Sequence, residues 1–152
     1  MDYGTNTWVK ENVCSAAAIY GADGVCWAFS PTFPELLTYD FELEGMDGSK
    51  QKISVNEVTN AIAAAKGERN PTAAGIRMGN QKFMLTVYEE DGKTSQLKKM
   101  GGGGAAVSLL NTGVVIAFYD KEGTMSDGKA QNGPDVANQV AAMGQYLRDQ
   151  GY

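Results

Sequence analysis

Histidine is absent from this chain of 152 residues. Because histidine is the commonest general base at neutral pH, its absence excludes Ser-His and Cys-His catalytic pairs. Cysteine is scarce, since only Cys14 and Cys26 are present. Two cysteines cannot build a cysteine-only zinc site; they suit free thiols in a reducing compartment, and a single disulfide between them stays open. Neither belongs to a Cys-x-x-Cys motif, so we expect unreactive thiols in the core.

Targeting segments and basic regions are lacking as well. No apolar run approaches the roughly 18 residues of a membrane span, and residues 1–4 do not begin a signal peptide, which predicts a cytoplasmic protein. The net charge is −5. Residues 1–76 carry ten acids and five bases, whereas residues 77–152 carry eight of each. Without a basic face to neutralise phosphates, we expect no nucleic-acid partner.

The composition that is present predicts one globular domain over residues 1–152. Apolar residues make up 43% and charged residues 20% of the chain, and closely spaced glycines are typical of an antiparallel sheet. Strands are predicted at 15–20, 25–30, 73–78, 82–88, 94–99, 105–110 and 113–119, with a hairpin around Asp47-Gly48. Since the strands at 105–110 and 113–119 are apolar on both faces, helices should cover both sides of the sheet.

Three helices are predicted. The first covers residues 5–13. The Ser54-x-x-Glu57 pattern is typical of a capping box, which predicts a middle helix from Ser54 to about Ala65. The last begins at Pro134, and its buried stripe comprises Val136, Val140, Met143 and Leu147. The predicted fold class is therefore an α/β (α+β) sandwich: about seven mainly antiparallel strands, the terminal helices on one face and the middle helix on the other.

Four aromatic residues near the two ends of the fold form the first candidate site: Trp8, Trp27, Tyr146 and Tyr152. Each alone is more often a core residue. If the terminal helices pack side by side over the first strands, the four rings converge into a groove that suits a polyproline II helix. Prolines stack on flat rings, while indole N–H and phenol O–H groups bond the exposed carbonyls of the ligand.

Basic residues on the later strands form the second candidate site. Arg77, Lys82, Lys93, Lys98 and Lys99 are either a solvated face or the footprint of a partner. The glycine run 101–104 follows two lysines but lacks the G-x-x-x-x-G-K-[S/T] order of a phosphate-binding loop, so it predicts a strand connection.

Several segments, in this order, resemble the profilin family over nearly the whole chain. They are Ser15–Ile19, Ala22–Ser30, Phe33-Pro34, Met78–Phe83, Gly101–Gly104, Val114–Asp120 and Tyr146–Tyr152. An acidic insertion at about 37–53, around Asp47-Gly48, resembles the extra β-hairpin of the alveolate (apicomplexan and ciliate) branch.

The resemblance implies a profilin-like sandwich that binds monomeric actin and proline-rich proteins such as formins, and regulates actin polymerisation. It implies a cytoplasmic, cytoskeletal monomer that is not an enzyme and has no cofactor or metal. Some members of the family bind phosphoinositides, but the net charge of −5 and the scattered bases predict only weak binding here. The proline-binding groove maps onto Trp8, Trp27, Tyr146, Leu147 and Tyr152. Trp8 stands where the family usually has Tyr in a W-x-x-Y motif, and Thr5 stands in place of its Trp, for which Tyr3 can substitute.

The actin-binding face implied by the resemblance comprises Lys82, Lys98, Lys99 and Asn138. In the last helix, positions that carry larger contact residues elsewhere in the family are Asn138, Ala141 and Ala142 here. The alternative hypothesis is a small-molecule sensor domain of the same sandwich type. Exposed rings between the terminal helices favour the first hypothesis, whereas a large cavity beneath the middle helix favours the second.

Overall fold

The computed structural model describes residues 14–30, 33–71, 75–99, 102–120 and 131–152. The predicted helix at 5–13, with Trp8, lies outside these residues, as does most of the connection before the last helix. The strands are β1 (Ala16–Gly21), β2 (Cys26–Phe29), β3 (Thr38–Glu44), β4 (Lys50–Asn56), β5 (Ile76–Met78), β6 (Gln81–Glu89), β7 (Thr94–Lys99), β8 (Gly104–Leu109) and β9 (Gly113–Tyr119). The helices are α1 (Glu57–Ala65) and α2 (Gly133–Asp149).

Seven of these strands form one antiparallel sheet in the order β2-β1-β9-β8-β7-β6-β5. The most apolar strands, β1, β8 and β9, lie in its interior, as strands covered on both faces must. The prediction of about seven mainly antiparallel strands is confirmed. The two edges of the sheet are β2 and β5.

Each face of the sheet packs against one helix. Every second side chain of a strand lies on the same face of the sheet. On one face, side chains such as those of Phe83, Leu97 and Ile116 form a core with α1. The opposite positions, such as Ile19, Ala106 and Val115, form a second core with Val136, Val140 and Leu147 of α2. The two described helices therefore lie on opposite faces, as predicted. No helix in the described ranges is both long and apolar enough to cross a bilayer.

The inserted hairpin is a separate two-stranded ribbon. β3 and β4 pair antiparallel from Thr38↔Asn56 to Glu44↔Lys50 around a tight turn. Asp47 shapes the turn, because its carboxylate accepts hydrogen bonds from the Ser49 N–H (3.0 Å) and hydroxyl (2.6 Å). These bonds lower the pKa of Asp47. The predicted insertion is confirmed, although its strands continue to Asn56.

The capping-box prediction is wrong. Ser54 belongs to β4, and the N-cap of α1 is Asn56, whose side chain accepts from the Thr59 N–H at 3.1 Å. The Glu57 carboxylate does not reach back to residue 54. It is fully buried and accepts hydrogen bonds from three donors of other segments. The pattern predicted the right helix, but with a start two to three residues too early. The Glu57 carboxylate bonds to distant segments and is therefore not free to bond to the N–H of Ser54.

Candidate binding surfaces

Trp27 is placed at the surface by a bulge in the edge strand. Ile19 pairs with Ala28 and Tyr20 pairs with Cys26, so Trp27 has no residue opposite it in β1. Its ring packs partly over the core of the α2 face and is half-buried. Gly21 leaves room for it, because a Cβ at that position would lie 2.9 Å from the indole Nε1. The bulge thus re-aims one large aromatic side chain out of the regular alternation.

Tyr152 is brought to Trp27 by the way α2 ends. Gly151 has a φ of +91°, which glycine adopts without strain, and the Tyr152 N–H donates to the Leu147 carbonyl at 3.0 Å. The chain therefore turns back over the last helical turn. The ring centroids of Trp27 and Tyr152 are 5.9 Å apart and tilted by 57°, which is a favourable arrangement for two aromatic rings.

The remaining predicted groove residues differ in exposure. Tyr146 is 58% and Tyr152 40% exposed, so both rings are open to a ligand. Leu147 is 1% exposed and belongs to the α2 core, so its side chain does not reach the surface. Trp8 lies outside the described residues. The structure thus brings the rings of Trp27 and Tyr152 together, leaves Tyr146 exposed on the same helix, and buries Leu147 in the core beneath.

Two of the predicted lysines share one face of the sheet. Lys98 pairs directly with Met84, and Lys82 lies two residues from Met84 on the same strand, so the three side chains point to the α2 face. Lys82 and Lys98 are exposed, and Met84 is 60% exposed. The basic strip is therefore flanked by α2.

Lys99 lies on the opposite face. It pairs with Phe83, which is buried in the α1 core. Lys99 lines a cavity of about 320 Å³ together with Phe83, Phe118 and Asp120. Phe118 stacks between Phe33 and Phe83 with centroid distances of 5.0 and 5.5 Å. Consecutive residues of a strand alternate in direction, so Lys98 and Lys99 cannot contribute to one patch on the same face.

Asn138 lies at a shallow recess beside the Lys82–Lys98 strip. The recess has a volume of about 120 Å³ and is bounded by α2 on one side and by β6 and β7 on the other. Ala141 also lines it, so the small side chains of α2 leave this space open. Val87, on the β6 side of the recess, is 42% exposed. The α2 face of the sheet thus presents two lysines beside a partly apolar recess.

Sequence reasoning missed a buried polar cluster at the base of the hairpin. The Glu57 carboxylate accepts from the Leu37 N–H (2.9 Å), the Asn80 N–H (2.8 Å) and the Tyr39 hydroxyl (3.0 Å). Tyr39 in turn accepts from Arg77 Nε at 3.0 Å, and burial raises the pKa of Tyr39. These contacts join the hairpin, α1 and the β5–β6 turn.

Arg77 belongs to this cluster and not to an open basic face. Its guanidinium lies 4.3 Å from the centroid of the Phe41 ring, and it donates to both the backbone and side-chain oxygens of Asn80. The sequence did contain a signal for this contact. Tyr39 and Phe41 are two positions apart in β3, so both aromatic side chains lie on the same face of the hairpin.

Both cysteines are free thiols. Burial raises the pKa of Cys14 to about 12 and also raises that of Cys26. Neither thiol is activated as a nucleophile, since activation requires a lowered pKa. A cavity of about 350 Å³ lies beside β2, lined by Tyr20, Cys26 and Phe33 among others, and not beneath α1.

Comparisons with known proteins agree with this architecture. A family model described as Profilin matches residues 1–152. Profilin of Tetrahymena pyriformis is 34% identical over 133 residues, which cover 86% of this chain and 83% of the relative. That relative agrees with the ciliate-type branch expected from the insertion.

Solved structures of low identity share the fold. Mouse profilin IIa in complex with a double repeat from the FH1 domain of mDia1 has a TM-score of 0.58 and 18% identity, covering 95% of this chain and 99% of that one. LokiProfilin1 in complex with rabbit actin has a TM-score of 0.58 and 11% identity, covering 99% and 98%. With a family match along its whole length and a relative at 34% identity, this chain belongs to the profilin family.

Proposed function

We propose that this protein binds monomeric actin and proline-rich segments on two separate surfaces and thereby regulates actin polymerisation in the cytoplasm. It acts as a monomer and as a binding protein without catalytic activity. The observation that carries the proposal is the pair formed by the half-buried Trp27 ring and the exposed Tyr152 ring at one edge of the sheet. The solved complexes of two family members support it, since one contains a double repeat of an FH1 domain and the other contains actin.

The groove would bind a proline-rich segment of a formin-type partner through Trp27, Tyr146 and Tyr152, with Trp8 completing it. A polyproline II helix is stiff before it binds, so docking on rigid rings costs little conformational entropy. Leu147 acts from below, because its buried side chain fixes the last turn of α2. The exposed Tyr146 gives the ligand a second contact along the same helix.

The actin-binding surface would be the α2 face of β6 and β7, with Lys82 and Lys98 at its edge and Asn138 beside the recess. Actin is an acidic protein, so the lysines speed the encounter and orient it, while apolar contacts with Met84 and Val87 supply most of the affinity. Lys99 points to the other face and contributes little. In the sheet order, β2 and β6 are five spacings apart, or about 24 Å, so both ligands can bind at once.

Paired titrations of three variants test this proposal. Against deca-L-proline, Trp27→Ala should weaken binding by about 2 kcal/mol or more, the usual scale for a central aromatic anchor. Against monomeric actin, Lys82→Glu should weaken binding about fivefold and reduce its salt dependence. Lys66→Glu is the matched control. Lys66 is exposed at the end of α1, and its substitution changes the net charge of the protein by the same amount as Lys82→Glu does.

Each substitution should leave the other ligand unaffected. Unchanged deca-L-proline affinity in folded Trp27→Ala protein would refute the groove. Equal effects of Lys82→Glu and Lys66→Glu on actin binding would refute the assigned face, because only the overall charge would then matter.

A further inference from the structure

Both sides of the aromatic pair are tied to one residue in the turn between β8 and β9. The Thr112 N–H and Thr112 Oγ1–H both donate to the main-chain oxygen of Tyr152, at 2.8 and 2.9 Å. The Thr112 carbonyl oxygen accepts from the Ala22 N–H at 2.8 Å. Ala22 begins the turn that leads into the strand carrying Trp27. One residue thus bonds to the two segments whose rings meet.

The turn that holds Thr112 is itself well anchored. The Leu110 N–H donates to the Gly113 carbonyl oxygen at 2.8 Å and closes the turn. The neighbouring Asn111 amide donates to the Arg148 carbonyl oxygen at 3.3 Å. Arg148 in turn donates to the Ser108 hydroxyl at 3.2 Å and to the Leu109 carbonyl oxygen. The position of Thr112 therefore follows the central strands of the sheet, which are the most buried part of the fold.

Tyr152 depends on such an anchor more than Trp27 does. Trp27 belongs to a strand, and the residues on either side of it, Cys26 and Ala28, both pair with β1. Tyr152 follows the last helical turn, where its N–H donates to Leu147 and its main-chain oxygen accepts from Thr112. Without the Thr112 hydroxyl, one of the two bonds that Thr112 donates to Tyr152 is lost and the Tyr152 ring gains freedom. A ligand must then pay the cost of ordering the ring when it binds.

We propose that Thr112 is a positioning residue of the proline-binding groove, holding the Tyr152 ring at the distance from Trp27 that a polyproline II ligand requires. It does not contact the ligand and acts only through Tyr152. This inference rests on the proposed function, because it concerns the geometry of the same groove.

Two substitutions separate the hydroxyl from the shape of the side chain. Thr112→Val keeps the branched side chain and the backbone N–H but removes the hydroxyl donor. Thr112→Ser keeps the donor. We expect Thr112→Val to weaken binding of deca-L-proline about threefold to tenfold, the scale of one hydrogen bond. Thr112→Ser should restore most of the affinity, and both variants should bind actin as the unmodified protein does.

A double-mutant cycle distinguishes a positioning role of Thr112 from a general effect on the stability of the fold. In a Tyr152→Ala background the ring to be positioned is gone, so Thr112→Val should have no further effect on deca-L-proline binding. An equal loss in both backgrounds, or no loss in the presence of Tyr152, would overturn the inference while leaving the groove intact. If the unmodified protein itself fails to bind deca-L-proline, the proposed function falls, and this inference falls with it.

Discussion

The buried Glu57 carboxylate allows a quantitative prediction for the attachment of the hairpin. Glu57→Gln keeps the size of the side chain but replaces one acceptor oxygen by an NH₂ donor. Oε1 serves one N–H donor, that of Leu37, and Oε2 serves two donors, on Tyr39 and Asn80. Whichever way the amide turns, at least one partly buried backbone hydrogen bond is lost, because the N–H of Leu37 or of Asn80 then faces another donor.

The expected cost follows from this geometry. A hydrogen bond to a charged group contributes about 1.5–3 kcal/mol, and a buried donor left unsatisfied costs about 1–3 kcal/mol. Because these two figures overlap in part, we expect Glu57→Gln to lower the free energy of unfolding by about 2–4 kcal/mol. For a chain of this size, that corresponds to a decrease in Tm of about 5–15 °C.

Urea unfolding at pH 7, followed by tryptophan fluorescence, measures the change. Glu68→Gln is the matched control, because Glu68 is exposed and its substitution should stay within about 0.5 kcal/mol. Hydrogen exchange should also accelerate in β3 and β4 more than in β8 and β9, since the lost bonds anchor the hairpin. If Glu57→Gln were as stable as Glu68→Gln, the three-donor arrangement around the carboxylate would be wrong.

Two further predictions concern the thiols and the charge distribution. Burial raises the pKa of Cys14 from 9.0 to about 12. Above pH 9 the thiol ionises in the unfolded chain but stays protonated in the folded one, so the free energy of unfolding falls as the pH rises from 9 towards 12. Between pH 8 and pH 10 the unmodified protein should lose about 1.4 kcal/mol more stability than Cys14→Ala in urea unfolding, and equal losses would refute the assignment. Vesicles with phosphoinositides should bind weakly at physiological salt, because each base near the surface contributes only about 1 kcal/mol and Lys98 and Lys99 point to opposite faces. Tight binding that resists salt in a sedimentation assay would contradict this reading of the surface.

The regular elements could be predicted from the sequence because their signals are local. The apolar runs of β8 and β9 and the periodic stripe of α2 depend only on near neighbours, and the Asn132 N-cap and Pro134 mark where that helix begins. The capping box failed for the converse reason. Glu57 meets donors from residues 20 and 23 positions away, and no local pattern encodes that meeting.

The candidate sites were predictable as residue types but not as geometry. Trp27 and Tyr152 are 125 positions apart, and only the folded sheet and the turn after α2 bring their rings together. Leu147 belongs to the periodic stripe of α2, and the stripe correctly predicts that its side chain is buried. Lys98 and Lys99 were grouped by adjacency, whereas strand alternation separates them.

β6 has an irregularity of its own, with a consequence for the surface beside α2. Leu85 pairs with Leu97 and Val87 pairs with Gln96, so Thr86 is an extra residue with no residue opposite it in β7. Before it, odd-numbered residues such as Leu85 enter the core; after it, the odd-numbered Val87 lines the recess on the other face. Deleting Thr86 alone would remove the bulge and leave Val87 opposite Gln96 and Tyr88 opposite Ser95, so every later side chain of the strand would keep its face. The strand can therefore lose this one residue without a change of register, and the hairpin tip at Met46, fully exposed to solvent, can also gain or lose residues without changing any other part of the fold.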